Sequence, residues 1–432
     1  MRKISTLFPK FQAYSATRFR SSKYWNKLSP SYKRIFDTTV EVLPFRVNDY
    51  VLENLVDWDR WDHDPMFRLM FPQAGMLSEA QFGRVEVARK AGPQALKAAV
   101  TRVRHELNPH PAGQTTHNIP MFVGNAVSGV QHKYQETALF FPSSGQTCHA
   151  YCSFCFRWPQ FTSGAMHRIQ AREINTFAAY LRHHPQVTDV LFTGGDPMVM
   201  NARILEQYVS ALLAIPTVRT IRIGSKALSY WPARFTSDKD AKALLQVFER
   251  IIASGRHVAF MAHLNHWREL LPGAVREAVS AVRSTGAVIR TQGPLLRTVN
   301  DDPVVWGRLW SDCVNLGIIP YYLFVERDTG PNAYFRVPLA QAHTIYRRAY
   351  RSVSGLARSV RGPVMSTLPG KIQVEGVLGQ GDERVFVLKM LQARDSRLVQ
   401  RLFTAHYCDT AAWIDQLQPH GEEPFPFEIP AE

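Results

Sequence analysis

The sequence predicts an α/β chain whose centre is a partial, TIM-like (β/α)6 barrel with a helical N-terminal extension and a C-terminal tail of mixed pattern. Three observations lead there. From about residue 136, short apolar strands alternate with amphipathic helices six times. The strands are β-branched or aromatic, and several follow Gly or Pro (Gly286, Gly317, Pro320). The chemically unusual residues fall at the C-terminal ends of these strands, where barrels of parallel strands keep their chemistry.

In chain order, the spacing predicts strands at 137–141, 187–193, 218–223, 258–263, 287–291 and 320–325. Helices are predicted near 171–182, 202–214, 238–253, 274–284, 303–316 and 339–353, each with apolar residues three or four apart, as in Leu205, Val209 and Leu212. Six βα units fall short of the eight that close a full barrel. The organisation expected is an extension over 1–110, a barrel over 111–370 and a C-terminal extension over 371–432 with a Pro/Glu-rich end.

Composition sets the class. Of 432 residues, 45 % are hydrophobic and 20 % charged, ordinary values for a folded soluble protein. No apolar run approaches the roughly 20 residues of a membrane span, and the start lacks the pattern of a secretory signal, so a cytoplasmic protein without membrane contact is expected. The net charge of +15 favours anionic ligands, but the arginines are scattered and no nucleic-acid module is present, so nucleic acid is not the expected partner. The first 36 residues carry no Asp or Glu; their interleaved apolar and aromatic residues (Leu7, Phe8, Phe11, Tyr14, Phe19) suit a basic arm that packs on the body or on a neighbouring subunit.

The five cysteines do not form a disulfide framework: Cys313 and Cys408 stand alone, while Cys148, Cys152 and Cys155 lie within eight residues of one another. The run Cys148-His-Ala-Tyr-Cys152-Ser-Phe-Cys155 follows the first strand. Three thiolates hold three irons of a four-iron cube and leave one iron open. The amino and carboxylate groups of S-adenosylmethionine can chelate that iron, and an electron from the cluster then splits the sulfonium to a 5′-deoxyadenosyl radical. The spacing therefore points to a 4Fe–4S cluster and a radical S-adenosylmethionine barrel. The residues alone also admit a zinc site completed by His149, or buried structural thiols. Thr193-Gly194-Gly195-Asp196-Pro197 lies at the next strand end, where glycines allow close backbone approach and Asp196 could meet the ammonium of the cofactor methionine.

The segments CHAYCSFCFRW, VLFTGGDP, IRIGSK, AHLNH, QGPLLRTVND, PYYLF, YFRVP and LPGK, running in order from about 130 to 371, resemble the lysine 2,3-aminomutase family. The resemblance implies a (β/α)6 barrel, often in an oligomer, that shifts an amino group between C2 and C3 of an amino acid. Pyridoxal phosphate (PLP) would bind the migrating nitrogen, and an electron donor such as flavodoxin or ferredoxin would reduce the cluster. It places Cys148, Cys152 and Cys155 as cluster ligands and Gly194, Gly195, Asp196, His263 and Gln292 around S-adenosylmethionine. Arg157 falls at the substrate carboxylate, Lys133, Tyr134 and Lys226 at the PLP phosphate, and Lys371 at the lysine that holds PLP.

The chain departs from the family where the substrate's far end should lie. Lysine-specific members use acids to hold the distal ammonium. Here Arg327 stands at the first such position, with Asp328 adjacent, and Ser366 or Thr367 at the second. Arg327 would repel a lysine side chain and suit a distal carboxylate, so a non-lysine substrate, acidic or neutral, is expected. The glycine-rich loop before the PLP lysine is shortened to Leu368-Pro369-Gly370-Lys371, and the zinc site of some members has no counterpart. The function expected is a PLP-dependent aminomutase. The alternatives are a radical enzyme without PLP (an epimerase, a dehydrogenase, or a peptide or tRNA modifier) and a zinc-stabilised nucleic-acid-binding protein.

Overall fold

The computed structural model describes residues 11–111, 116–162, 169–172, 174–421 and 423–428. The basic residues Arg2, Lys3 and Lys10, with Leu7 and Phe8, lie outside the described residues, as do Glu422 and Glu432 of the C-terminal end.

One sheet of twelve strands organises the chain. We number its strands β1 (Val130–Tyr134), β2 (Thr137–Phe140), β3 (Asp189–Phe192), β4 (Thr220–Ser225), β5 (His257–His263), β6 (Val288–Leu295), β7 (Ile318–Val325), β8 (Arg361–Ser366), β9 (Gly370–Leu378), β10 (Val385–Ala393), β11 (Leu402–His406) and β12 (Pro419–His420). They neighbour one another in that order. Strands β2 to β8 are parallel; β1 at one edge and β9 to β12 at the other are antiparallel.

The longest helices of the extension are α1 (Pro30–Val42), α2 (Glu79–Ala91) and α3 (Pro93–Glu106). The six crossovers between parallel strands are α4 (Asn175–His183), α5 (Ala202–Leu213), α6 (Ala241–Ala253), α7 (Gly273–Ser284), α8 (Pro303–Asn315) and α9 (Leu339–Arg351). Each crossover helix presents a three-to-four-spaced apolar stripe to the sheet; α6, for example, buries Leu244, Val247, Phe248 and Ile251. Strand alternation sorts the other face. In β4, Ile221 and Ile223 point into the core under the helices, while Arg222 and Gly224 line the concave side.

The seventh parallel strand, β8, is an addition to the six units read from sequence. The C-terminal tail is likewise part of the sheet: β9 to β12 extend it, and hydrogen bonding runs across the expected division at residue 370. Among the described residues, no helix is long and apolar enough to cross a membrane.

The N-terminal extension has its own aromatic core, in which Phe19, Phe36, Phe45 and Phe71 meet at centroid distances of 4.8–5.6 Å. Ala150, Phe154 and Trp158 of the cysteine loop are buried in this same core. Backbone bonds fasten the two together: Tyr151 N donates to Arg46 O (2.8 Å) and Ser153 N to Leu69 O (2.9 Å). The extension is thus the bed on which the cysteine loop lies.

Candidate active site

All fourteen residues singled out from the sequence line one cavity of about 1590 Å³, reached from the C-terminal ends of the parallel strands. It has two chemically distinct walls.

The first wall is the cysteine loop, which leaves β2 and carries Cys148, Cys152 and Cys155 as free thiols. Burial pushes Cys152 up to about 12 and Cys155 to about 11, and Cys148 rises as well. A buried thiolate trio therefore needs the positive charge of a metal centre. Among the described residues, the ligand atoms that gather within 4.8 Å are those of His110, Asp328 and Asp415 at the cavity mouth, not the three sulfurs. One zinc ion with Zn–S bonds of about 2.3 Å would draw its thiolates within about 4 Å of each other. His149 Nε2 lies 3.1 Å from Asp196 Oδ2. Three thiols on one loop suit three corners of an iron–sulfur cube that leaves one iron open.

The loop's geometry explains the glycine pair. Gly194 has φ +127°, and a Cβ there would strike the Gln146 side chain; at Gly195 it would strike the Thr147 carbonyl. The close approach that glycine permits is therefore made by the cysteine loop itself. Asp196 is engaged within the chain. Its Oδ1 accepts from Met198 N (2.9 Å) and Ser225 Oγ (2.8 Å), and its Oδ2 from His149 Nε2 (3.1 Å) and Lys226 N (2.9 Å). Burial alone would raise its pKa, but the His149 contact and these backbone donors outweigh it and hold the carboxylate ionised. With these four contacts, Asp196 staples the cysteine loop to the β3 and β4 ends.

Lys226 is likewise engaged within the chain. Its ammonium is buried against Glu269 Oε2 (2.8 Å), Asn265 Oδ1 (3.1 Å) and the His263 carbonyl (3.1 Å), 4.2 Å above the Tyr230 ring. An ammonium so neutralised is a poor phosphate ligand. Beside it, His263 lies edge-on to Phe154 (5.7 Å) and pairs in register with Gln292. Burial pushes His263 down to about 3, so it is neutral near pH 7.

The second wall is cationic. Arg157 is buried between the Phe141 and Phe156 rings (4.6 and 4.9 Å). Arg327 lies 4.8 Å from the Phe156 ring and donates to Ser366 O (2.8 Å) and Ser366 Oγ (3.1 Å). Lys133 donates to Thr367 O, and Lys371 to Gln392. The Lys371 amine sits 4.5 Å from the Tyr134 ring and 5.6 Å from the Tyr322 ring, flanked by aromatics that suit a planar ring. Burial and neighbouring cations push Lys133 down to about 6 and Lys371 to about 7. Glu326 adds little negative charge, because burial raises its carboxyl well above the usual range. Among the described residues no carboxylate comes within 4 Å of Lys133, Arg157, Arg327 or Lys371. This donor set fits an anionic aromatic cofactor and a carboxylate substrate.

Three residues escaped the sequence reading. Arg46 Nη1 donates to Thr147 Oγ1 (2.8 Å) and to Cys148 O (3.0 Å), clamping the loop from 101 residues away in sequence. Glu269 lies 43 residues from Lys226 and Arg394 26 from Leu368. The capping box that Glu269 makes with His266 is the one spacing signal that could have found any of them.

No family model matches the chain. A protein of Aquifex aeolicus that carries the L-lysine 2,3-aminomutase name is 32 % identical over 365 residues, spanning 84 % of this chain and 85 % of the relative. The L-lysine 2,3-aminomutase of Escherichia coli is 31 % identical over 248 residues, 56 % of this chain and 69 % of that one. That of Clostridium subterminale is 28 % identical over 229 residues, 53 % and 52 % of the two chains. Among solved structures, Streptococcus suis SuiB bound to its precursor peptide SuiA overlays with a TM-score of 0.36 at 14 % identity, over 59 % of this chain and 49 % of that one. Escherichia coli coproporphyrinogen III oxidase, titled a radical SAM enzyme, gives 0.28 at 11 % identity, over 60 % and 68 %. Overlays this loose carry no argument. The sequence relationship does, because it holds at 32 % identity over most of both chains: the chain belongs to the lysine 2,3-aminomutase family of radical S-adenosylmethionine enzymes.

Proposed function

We propose that the protein is a PLP-dependent 2,3-aminomutase acting on an acidic or neutral amino acid rather than on lysine. The observation that carries the reading is the cationic wall, where Arg157, Arg327, Lys133 and Lys371 face the cavity with no carboxylate within 4 Å among the described residues. A lysine ammonium at 4 Å from Arg327 would be repelled by about 1–4 kcal/mol, depending on local screening.

Each residue then has a part. Arg157, held flat between two rings, offers its fork to the substrate α-carboxylate. Arg327, aimed by Ser366, receives a distal carboxylate or carbonyl. Lys371, with its amine lowered to a pKa of about 7, is about half unprotonated at neutral pH and so able to react with an aldehyde. The three cysteines would hold the cluster, with the β4 to β6 ends lying beside S-adenosylmethionine. PLP, when bound, supplies a π-system adjacent to the migrating nitrogen, which lowers the barrier to its transfer. Buried Phe154 and the half-buried, neutral His263 help keep water from the radical.

The test is anaerobic reconstitution with iron, sulfide, S-adenosylmethionine and PLP against an amino-acid panel, following 5′-deoxyadenosine release and product mass. Turnover of glutamate-like or neutral amino acids above lysine is expected, with Arg327→Asp shifting preference toward basic ones. Lysine as the best substrate, or failure of the wild type to take up PLP, overturns the reading.

A further inference from the structure

The second wall contains a cation that the family resemblance does not supply. The turn leaving β8 offers three successive backbone carbonyls, and each is taken by a different cation. Arg327 donates to Ser366 O (2.8 Å), Lys133 to Thr367 O, and Arg394 Nε to Leu368 O (3.2 Å). Arg394 is fixed further by its backbone N donating to Pro369 O (2.9 Å) and its Nη2 to Asn118 Oδ1. It follows β10, and it reaches this turn because Gly370 has no side chain: a Cβ there would strike the Gln392 carbonyl and come within 3.0 Å of the Ala393 Cα.

Carbonyls orient these cations without neutralising them. Lys133 spends one of its three donors on Thr367, and Arg394 keeps Nη1 unengaged among the described residues. Both line the cavity, and both act electrostatically on the Tyr134 phenol or its neighbours, which places them at one corner. Lys226, expected to supply the other phosphate cation, is spent on Glu269 at the opposite wall. A phosphate monoester carries close to two negative charges at neutral pH and calls for more than one lysine.

We propose that Arg394, together with Lys133 and Tyr134, forms the seat for the cofactor phosphate, in place of Lys226, whose ammonium is paired with Glu269. The inference rests on the PLP reading above and names a binding residue for it. The C-terminal extension thereby becomes part of cofactor recognition, since Arg394 lies beyond the last parallel strand.

The experiment titrates cluster-reconstituted wild type, Arg394→Ala and Arg394→Lys with PLP and with pyridoxal, which lacks the phosphate. Bound cofactor is read by absorbance and by the mass of borohydride-trapped peptides. For PLP, Arg394→Ala should weaken binding about tenfold to hundredfold, the loss expected for one charge-assisted contact, with Arg394→Lys intermediate. For pyridoxal, wild type and variants should bind alike. Equal PLP affinity in wild type and Arg394→Ala overturns the assignment while leaving the aminomutase reading intact. Equal losses for PLP and pyridoxal also overturn it, by showing that Arg394 merely supports the fold. A wild type that takes up no PLP ends the parent reading and this one with it.

Discussion

Replacing Glu269 decides whether Lys226 is a structural cation or a ligand. The Glu269 carboxylate is fully buried and accepts from Asn265 N (2.7 Å), His266 N (3.2 Å), Ser229 Oγ (2.7 Å) and Lys226 Nζ (2.8 Å). Glu269→Gln keeps the shape and one acceptor but leaves the ammonium with only the Asn265 and His263 oxygens. Removing one partner of a buried pair costs about 3–5 kcal/mol. Lys226→Met alone leaves a buried carboxylate still satisfied by two backbone N–H groups and a hydroxyl, so its cost should fall at or below the lower end of that range. In Lys226→Met/Glu269→Gln the stranded charge is gone, and the double variant should lose about 2–3 kcal/mol less than the sum of the singles. Urea unfolding of the four proteins gives the cycle, and PLP titration runs alongside. Additivity within about 0.5 kcal/mol, accompanied by a more than tenfold loss of PLP affinity in Lys226→Met, would refute the structural role and return Lys226 to the phosphate.

Other outcomes follow from the same geometry. Gly195→Ala should express as a folded chain but lose most of its iron after reconstitution, because the added methyl pushes the Thr147 carbonyl and with it Cys148; iron and sulfide assays check this, and full iron content would count against the close packing. Arg46→Ala removes two contacts to the loop, at about 1–3 kcal/mol for charged donors, and should broaden the electron-resonance signal of the reduced cluster or lower its yield. For Lys371, burial followed by Arg222, Arg361 and Arg327 lowers the pKa from 10.5 to about 7. The folded state therefore disfavours the proton: this residue's contribution makes stability rise with pH between about 7 and 10.5 and leaves it flat below. Borohydride trapping of pyridoxal phosphate at Lys371 should fall away as pH drops through about 7, and a midpoint near 10 in peptide-resolved labelling would contradict the buried position.

The sequence made the six βα units legible because strand and helix periods differ and each unit is local. The cysteine loop was legible because its ligands are close in sequence. Strand β8, Arg361–Ser366, was not: its Gly-Pro pair looks like a turn, and only pairing with β7 makes it a strand. The tail after 370 hid its strands because their order depends on β8 being there first. Asp196 and Lys226 were found at the cavity, but their partners were not. His149 sits 47 residues from Asp196, and Glu269 43 from Lys226, so whether a side chain faces a ligand or a neighbour was written in the fold.

The sheet of twelve strands is open, yet its first strand carries Lys133 and Tyr134 to the corner where β9 and β10 deliver Lys371 and Arg394. This corner is a seam between early and late parts of the chain. During synthesis, every cysteine, glycine and histidine of the cluster wall emerges before residue 264, whereas the seam stays unfinished until residue 394 has left the ribosome. On the proposed reading, a nascent chain therefore completes the cysteine wall before the corner where β1 meets β10, so retention of PLP waits on the later segment.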